Sequence, residues 1–431
     1  MPPPPASESS GAPDGPIGWD GYDAARARAR ERTGEQESVV CGTGVVDGVE
    51  AVLVSFEFGF LGGSLGERTG DLLESAFVHA RARRLPLVTL VATGGSRMQE
   101  GMRALSQLQR VARESALTRA AGLPQIAVVR DPATGGGWAT LAAGADVTLA
   151  LPGAQAGFAG SRVRPPGAPA EAYAAEGQYA AGQIDAVVGE GELRGVLGRW
   201  LSLLTAGGGG EAAAPPRAIA SGGSDGELPE SGWEAVRRAR AAERPRAGAY
   251  LDAYFDWYEE LSGDRCGGVD AGMRCGFGRV GDATFAFAAQ CGTATRPAGF
   301  RTAERLVRLA GRLGVPVLTL VDTPGADNGP EAERAGAGAA IAGCFEAVAS
   351  VGVPVTTLVV GEGGSGGALA LAAPGRTWVT PDSYFSVIGP EAAASILKRD
   401  AGSVRWTADQ LRLRPQDVVA LGAACGVVPY S

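Results

Sequence analysis

Histidine and lysine are nearly absent from this chain of 431 residues, which contains one of each. The histidine, His79, lies in a stretch predicted to be helical, and a structural role is favoured for it. A Ser-His-Asp triad or a multi-histidine metal centre would depend on this one residue, so both are disfavoured. Nothing around the lysine, Lys398, suggests a Schiff-base role.

Other features that the sequence lacks disfavour further kinds of site and classes of protein. None of the six cysteines forms a C-x-x-C pair, so we expect no zinc site, and without an export signal we expect reduced thiols in a cytoplasm. The chain has no uninterrupted run of about 18 apolar residues, so we expect no membrane-spanning helix. The net charge of −8 argues against nucleic-acid binding. The sequence contains no G-K-[ST] motif, so we expect no P-loop. No G-x-G-x-x-G follows a first strand, so a dinucleotide-binding fold is disfavoured.

What the chain does contain is a copy of itself. LPLVTLVATGG at 85–95 returns as VPVLTLVDTPG at 315–325, and Pro86 and Pro316 are 230 positions apart. A repeat of this length is too long for a solenoid unit and indicates two copies of a domain. Strands alternate with helical patterns, which predicts an α/β fold of two tandem domains related by duplication.

The composition predicts four segments. Residues 1–19 are predicted to be a disordered Pro-rich tail, 20–205 a first domain, 206–230 a flexible Gly/Ala/Pro/Ser-rich linker, and 231–431 a second domain. Within the second domain, a helix is expected over about 248–261.

Four glycine-rich turns follow buried strands. Adjacent backbone amides in such turns can stabilise an oxygen that gains negative charge, although tight strand–helix packing would also require glycine. Occurrence at matching positions of the repeat favours function. The turns are Thr93-Gly94-Gly95, Thr134 to Gly137, Asp322 to Gly325, and Gly363 to Ala368.

Six acidic residues lie near these turns. Each is a candidate general acid or base, but helix capping or ordinary surface charge is favoured for each. They are Glu100, Asp131, Asp322, Glu331, Glu362 and Glu391.

At these residues the chain resembles a known family. Residues 20–190 resemble the β subunit of bacterial acetyl-CoA carboxylase carboxyltransferase, and residues 231–400 resemble its α subunit. The first half matches in RTGEQESVVCGTGVVDG, FGFLGGSLGE, GGSRMQEG, DPATGGG, GFAGSRV and EGQYAAGQIDAVV; the second half matches in WEAVRRARAAERP, ELSGDR, FRTAERLVRLA, VDTPGADNGPEAERAG, GVPVTTLVVGEGGSGGALAL and YFSVIGPEAAASIL.

The resemblance implies a crotonase-type fold in both halves, a β-type domain followed by an α-type domain. It implies transfer of a carboxyl group from carboxybiotin, held on a separate carrier protein, to the α-carbon of an acyl-CoA thioester such as acetyl-CoA, giving malonyl-CoA. The biotin anion left by carboxyl release can take the α-proton, so no side-chain base is required. Lys398 is not flanked by methionines, so the chain carries no biotin attachment site of its own.

The resemblance also implies site residues. Gly135 and Gly136 would form one oxyanion hole, and Gly367 and Ala368 the other. Arg97 and Arg162 are candidates for the CoA phosphates, with surface ion pairing as the alternative. The remaining candidates for binding CoA thioester or carboxybiotin are Gly94, Gly95, Gly325, Gly364 and Gly366.

The implied partners are a biotin carboxyl carrier protein and a biotin carboxylase, and the implied assembly is a homodimer or larger. The chain departs from the family in lacking the four-cysteine zinc ribbon of the β subunit, and Asp327 and Asn328 replace an aromatic residue and a proline. Two alternatives therefore stay open. One is a biotin-independent decarboxylase or acyl transferase acting on a malonyl thioester, and the other is a catalytically inactive scaffold.

Overall fold

The computed structural model describes residues 14–207, 210–220 and 227–431. The chain divides into two compact units: unit 1 is Met1–Thr205 with Arg265–Gly267, and unit 2 is Ala206–Asp264 with Gly268–Ser431. Each unit contains its own sheet, in which parallel pairs predominate, together with helices. The predicted α/β class is confirmed.

Unit 1 has seven strands in the order β1-β2-β3-β4-β5-β7, with β6 pairing beside β4. The β1–β2 pair is antiparallel and the other pairs are parallel. The strands are β1 (Val39–Val46), β2 (Val49–Phe56), β3 (Leu87–Thr93), β4 (Gln125–Thr134), β5 (Val147–Ala150), β6 (Ala156–Gly157) and β7 (Ala186–Val187). The helices are α1 (Tyr22–Thr33), α2 (Glu67–Arg83), α3 (Met102–Ala120), α4 (Gly135–Gly137), α5 (Ala175–Ala180) and α6 (Leu193–Thr205).

The apolar run of β3 follows from its place in the middle of this sheet. Every residue of β3 except Leu90 is buried, because helices cover a parallel sheet on both faces. Helix α2 buries Leu73, Phe77 and Ala80 on one stripe, at the spacing that an amphipathic helix requires. Burial of each large side chain contributes about 1.5–3 kcal/mol, and this core holds the carboxyl end of β3 in place.

Unit 2 repeats this arrangement with one extra edge strand. Its order is β15-β13-β12-β11-β10-β9-β8, with β14 beside β12. The strands are β8 (Trp257–Leu261), β9 (Met273–Val280), β10 (Ala283–Gln290), β11 (Val317–Thr323), β12 (Val355–Gly364), β13 (Thr377–Val379), β14 (Tyr384–Ser386) and β15 (Gly426–Val427). The helices are α7 (Gly232–Arg240), α8 (Ala247–Tyr254), α9 (Pro297–Leu313), α10 (Pro330–Arg334), α11 (Ala337–Ser350), α12 (Ser365–Leu369), α13 (Pro390–Ile396), α14 (Val404–Gln410) and α15 (Pro415–Ala420).

The sequence repeat is also a repeat of strand register. Leu87 pairs with Gln125 in unit 1, and Val317 pairs with Val355 in unit 2. The register then shifts in both units at the carboxyl end of the pair, after Val91 and after Val321. The two glycine turns of each unit therefore leave the sheet from equivalent places.

Two predicted segments are corrected within the described residues. Residues 14–19 form a turn bonded to α1, in which the Trp19 amide donates to the Asp14 carbonyl oxygen at 2.9 Å; residues 1–13 of the predicted tail lie outside the described residues. Part of the predicted linker is packed on unit 2: Ala213 and Ala218 are buried, and the Ala218 amide donates to Pro429. Small alanine side chains allow this close approach despite the linker-like composition.

The helix expected over about 248–261 ends early. Helix α8 stops at Tyr254, and Trp257–Leu261 form β8, which pairs antiparallel with β9. The centre of the Tyr258 ring in β8 lies 5.5 Å from that of Phe287 in β10. Aromatic residues fit a half-buried strand well, and this edge packing overrides the helical pattern.

Candidate active site

The first glycine turn of unit 1 follows β3. The Gly94 amide donates to the Gly62 carbonyl oxygen at 2.9 Å, and the Gly95 amide donates to Thr93 Oγ1 at 3.0 Å. Gly95 has a φ of 106°, a backbone conformation that residues with a side chain rarely adopt. Both amides therefore build the turn itself, and the binding role predicted for Gly94 and Gly95 does not rest on them as donors.

The next residue, Ser96, has an available amide. Leu65 forms a parallel bridge with Ser96: the Leu65 amide donates to Gly95, and the Arg97 amide donates to Leu65, each at 2.9 Å. A residue in a parallel pair bonds to the two neighbours of its partner, so the amide of Ser96 points to the other side. No acceptor within the described parts of the chain bonds to this amide.

The second turn of unit 1 begins at Gly135. Its φ is 61°, and a Cβ there would lie 3.2 Å from the Cα of Gly95. The Gly135 amide donates to the Phe158 carbonyl oxygen at 3.0 Å. The predicted role of Gly135 as an oxyanion donor is therefore corrected: its amide is already bonded, and its contribution is the left-handed conformation and the close approach of the two turns.

Gly136 and Gly137 have amides in the first turn of α4, where no preceding helical carbonyl is available. Neither amide has a partner among the residues that the structure describes. Both residues are buried, and a Cβ on Gly136 would lie 2.3 Å from Leu108 Cδ1. The donor role of Gly136 stays a prediction, and Gly137 is a further candidate.

Unit 2 repeats the first turn except for the bond of Gly94, because the equivalent residue, Pro324, has no amide hydrogen. The Gly325 amide donates to Thr323 Oγ1 at 3.1 Å. The Thr295 amide donates to Gly325 at 3.0 Å, and the Asp327 amide donates to Thr295 at 2.8 Å. Ala326, bridged to Thr295, is therefore the counterpart of Ser96 in unit 1, and within the described ranges its amide is likewise unpaired.

The second turn of unit 2 begins at Ser365, which has a φ of 55°. This is a strained conformation for a residue with a side chain. A Cβ on Gly364 would lie 2.0 Å from the Pro324 carbonyl oxygen, and a Cβ on Gly367 would lie 2.3 Å from the Ala326 nitrogen. Glycine is therefore required at both positions for the two turns to touch.

The amides of Gly366 and Gly367, in the first turn of α12, have no partner within the described residues. Ala368 is the fourth residue of α12, so its amide donates to the carbonyl oxygen of Gly364, the residue that precedes the helix. Ala368 is fully buried, whereas Gly366 is half-buried with open space beside its Cα. The donor role of Gly367 stays a prediction, and Gly366 is a further candidate at the surface. The predicted role of Ala368 as an oxyanion donor is corrected, because its amide takes part in the first hydrogen bond of the helix.

The sequence reasoning missed Ser96 and Ala326. The signal was present, because each directly follows a turn glycine and they are 230 positions apart. The same spacing aligns Gly135 with Ser365, so the predicted pairs Gly135–Gly136 and Gly367–Ala368 are not equivalent positions of the repeat.

Arg97 is buried in unit 1, with its guanidinium inside a cluster of hydrogen-bonding partners. It forms an ion pair with Glu37, donates to Glu100 at 3.0 Å and to Tyr22 Oη at 3.2 Å, and donates to the Ser64 carbonyl oxygen at 2.8 Å. Burial raises the pKa of Glu37, but the hydrogen bond and the charge of Arg97 outweigh it and lower the pKa below its ordinary value. Because Arg97 is 1% exposed, its predicted contact with CoA phosphates is corrected to a structural role beside the Ser96 turn.

Arg162 has the opposite environment. It is exposed in the short 3₁₀ turn Ser161–Val163. Its predicted contact with CoA phosphates stays a prediction.

The candidate acids of unit 2 form ion pairs behind its turns. Asp322 is fully buried, pairs with Arg244 at 2.7 Å and accepts the Glu362 amide at 3.1 Å. Glu362 pairs with Arg240 at 2.7 Å and accepts from Tyr384 at 2.9 Å. These bonds tie the ends of β11 and β12 together.

The other four candidate acids also have partners. Glu100 pairs with Arg97, Asp131 accepts the Gln155 amide, Glu331 pairs with Arg334, and Glu391 pairs with Arg240. This supports a structural role for all six acids and leaves the backbone amides as the reactive feature of the turns.

No group of three His, Cys, Asp or Glu side chains within the described ranges could hold a metal ion. In the same ranges, no helix has the length and apolar character needed to cross a membrane. All six cysteines are free thiols.

Comparison with known proteins places these features in a family. Residues 229–430 match the family model for "Acetyl co-enzyme A carboxylase carboxyltransferase-like" proteins, and residues 19–193 match that for the "Carboxyl transferase domain". The chain is 42% identical to the acetyl-coenzyme A carboxylase carboxyl transferase subunits beta/alpha of Salinispora arenicola (strain CNS-205), over 93% of this chain and 75% of the relative. It is 38% identical to the protein of the same name from Saccharopolyspora erythraea, over 94% and 74%.

Solved structures agree on the fold. The transcarboxylase 12S structure with hydrolysed methylmalonyl-coenzyme A bound superposes with a TM-score of 0.75 at 22% identity, covering 91% of this chain and 79% of that one. A single-chain, multi-domain long-chain acyl-CoA carboxylase gives a TM-score of 0.72 at 22% identity, covering 91% and 40%. The predicted crotonase-like fold is confirmed, and the chain belongs to the acetyl-CoA carboxylase carboxyltransferase family, in which it joins a β-type and an α-type part.

Proposed function

We propose that this carboxyltransferase moves a carboxyl group from carboxybiotin, presented by a separate carrier protein, to the α-carbon of an acyl-CoA thioester such as acetyl-CoA, giving malonyl-CoA. The observation that carries the proposal is the repeated pair of turns, each with an unpaired amide at Ser96 or Ala326 beside unpaired helix-start amides. Two such sites suit a reaction in which two oxygens gain charge.

The turn of unit 1 would bind the thioester oxygen. Removal of the α-proton moves negative charge onto that oxygen, and fixed amides at Ser96 and Gly136 stabilise it more in the transition state than in the ground state. Loss of one such donor typically costs about 10²–10³ in rate. Arg162 would bind a CoA phosphate.

The turn of unit 2 would bind the ureido oxygen of biotin, through Ala326 and the amides at the start of α12. Carboxybiotin bound there supplies the carboxyl group and then the base. Gly366 would leave room for the ring, because no atom lies within 4 Å of the place of a Cβ there. Gly325 and Gly364 would contribute by letting the two turns touch. The six candidate acids, five of them ion-paired and Asp131 bonded to a backbone amide, are not needed as a base.

The natural partners proposed are a biotin carboxyl carrier protein and a biotin carboxylase, with fatty acid synthesis as the use of the product. A homodimer is proposed by analogy with the separate subunits, and light scattering that finds an active monomer would contradict it. The six free thiols support a reducing, cytoplasmic location.

The test runs the reaction in reverse. Purified protein is mixed with malonyl-CoA, with and without biotinylated carrier or free biotin, and loss of the carboxyl group is followed by mass spectrometry. Biotin-dependent formation of acetyl-CoA supports the proposal. Biotin-independent loss would replace it with a malonyl-thioester decarboxylase, and binding of CoA without turnover would indicate a scaffold.

A further inference from the structure

A buried glutamine lies beneath the turns of unit 2. Gln290 is the last residue of β10 and is 0% exposed. Its Nε2 donates to the Gly367 carbonyl oxygen at 2.9 Å and to Thr295 Oγ1 at 3.1 Å. A carbonyl oxygen can only accept a hydrogen bond, so the nitrogen of the side chain, rather than its oxygen, faces Gly367.

The two acceptors belong to different turns. Gly367 lies in the first turn of α12, whereas the backbone of Thr295 holds Gly325 and Ala326 in the bridge of the first turn. Thr295 Oγ1 also donates to Thr323 Oγ1 at 3.4 Å, which in turn bonds to the Gly325 carbonyl oxygen at 2.7 Å. One side-chain NH₂ group therefore connects both turns, and bonded chains of this kind strengthen one another.

The bond to Gly367 fixes a peptide plane. A peptide group is planar and trans, so holding the Gly367 oxygen sets the orientation of the following amide and of the helix start. The two turns are packed so closely that a Cβ on Gly367 would lie only 2.3 Å from the Ala326 nitrogen. The orientation of the Gly367 peptide must therefore be held within narrow limits. A small rotation at Gly367 would separate the unpaired amides.

The same side chain carries a cost. Gln290 Oε1 is buried and has no hydrogen-bond partner within the described residues, and an unsatisfied buried polar atom destabilises the folded state. In unit 1 the corresponding strand end is Phe56, which is apolar and buried. The strand end can therefore be filled without a polar group, and a glutamine with an unsatisfied oxygen at this place indicates a function.

We propose that Gln290 is a positioning residue that sets the two turns of unit 2 in register, so that the Ala326 amide and the amides at the start of α12 converge on one ligand oxygen. The inference rests on the proposed function, in which that oxygen gains charge during carboxyl transfer.

The test compares Gln290→Met with a matched control, Gln416→Met. Methionine keeps the length of the side chain and removes the donor. Gln416, in α15, has the same bonding pattern away from the turns: its Nε2 donates to the Pro229 carbonyl oxygen at 2.7 Å, and its Oε1 is buried without a partner in the described residues. We expect Gln290→Met to lower kcat for biotin-dependent malonyl-CoA decarboxylation by about 10²-fold, as for a misplacement near 1 Å. KM and Tm should stay near the wild-type values, and Gln416→Met should keep full activity.

A second readout does not depend on turnover. Hydrogen–deuterium exchange of peptides covering 363–370 should be faster in Gln290→Met than in wild type and unchanged in Gln416→Met. The proposal stands only if both kcat and exchange change; an unchanged kcat or an unchanged exchange rate in Gln290→Met would overturn it. If the wild-type protein shows no biotin-dependent turnover, the proposed function fails, and exchange alone decides whether Gln290 holds the turns.

Gln290→Glu provides a further check. A carboxyl group in this buried site donates to Gly367 only when protonated, and burial raises the pKa of such a group. Activity of this variant should fall as pH rises and the carboxyl ionises, whereas Gln290→Met should show the pH profile of wild type. Parallel profiles for the two variants would contradict a donor role.

Discussion

The substitution Gly367→Ala tests the contact between the two turns of unit 2 most directly. The added Cβ would lie 2.3 Å from the Ala326 nitrogen and 2.7 Å from the Gly325 carbonyl carbon, whereas real Cβ contacts stay above 3.0 Å. Both neighbours are backbone atoms, so the turns must separate by about 0.7 Å rather than let a side chain rotate. One methyl group thereby changes the spacing of the amides that the proposed reaction uses.

The expected cost has two parts. Overpacking of this kind destabilises a protein by about 1–3 kcal/mol, and a displacement of this size at a reacting centre lowers the rate by roughly 10²-fold. The assay is biotin-dependent decarboxylation of malonyl-CoA, with the urea unfolding midpoint measured on the same samples. We expect kcat to fall much more than the remaining folded fraction explains.

Two controls separate the turn from a general effect of replacing glycine. Gly338, in α11, and Gly366, in α12, have no atom within 4 Å of an added Cβ. Gly338→Ala should leave activity unchanged and raise stability by at most about 1 kcal/mol, because alanine is favoured over glycine in a helix. Gly366→Ala should leave stability unchanged, so any loss of activity there reports on the ligand side of the turn. Wild-type kcat in Gly367→Ala would refute the reasoning.

Three further predictions concern unit 1. Arg97→Met should destabilise the protein by about 3–5 kcal/mol, because it leaves Glu37 and Glu100 as unpaired buried charges; a raised KM for malonyl-CoA with wild-type stability would instead restore a phosphate-binding role. The pKa of Glu37 is lowered, so its ionised carboxylate contributes stability that is fully present above the ordinary Glu pKa of about 4.3 and is lost as pH falls through the lowered pKa. Urea unfolding midpoints measured from neutral pH downwards should therefore fall in acid for wild type, and should fall less for Glu37→Gln. Arg162→Ala should raise KM for malonyl-CoA about 2–5-fold at low salt, and less at high salt, with kcat unchanged; an equal effect at both salt concentrations would argue against a phosphate contact.

The sequence alone predicted the two-domain scaffold and the glycine turns in which the candidate site lies. The repeat, the apolar strands and the glycine turns follow from local sequence, because buried parallel strands need continuous apolar runs and tight turns need glycine. The family also followed from long matching strings. Even Ser96 and Ala326 could have been found, since both occupy the position after a turn glycine in the two copies.

The tertiary structure decided which groups are available. Arg97 and Gly135 have the residue types that a binding site needs, but long-range partners, Glu37 and the Phe158 carbonyl, already occupy them. Sequence spacing could not reveal these contacts because they join residues far apart in the chain.

The same distinction separates Gln290 from any other glutamine in the sequence. Nothing local marks it, and its two acceptors lie 5 and 77 positions further along the chain. The sequence by itself determined the fold class, the duplication and the turns, because these depend on periodicity and on backbone freedom. Only the folded chain decided which amides stay unpaired and which side chains hold them, because hydrogen bonds are satisfied by whatever lies nearest in space.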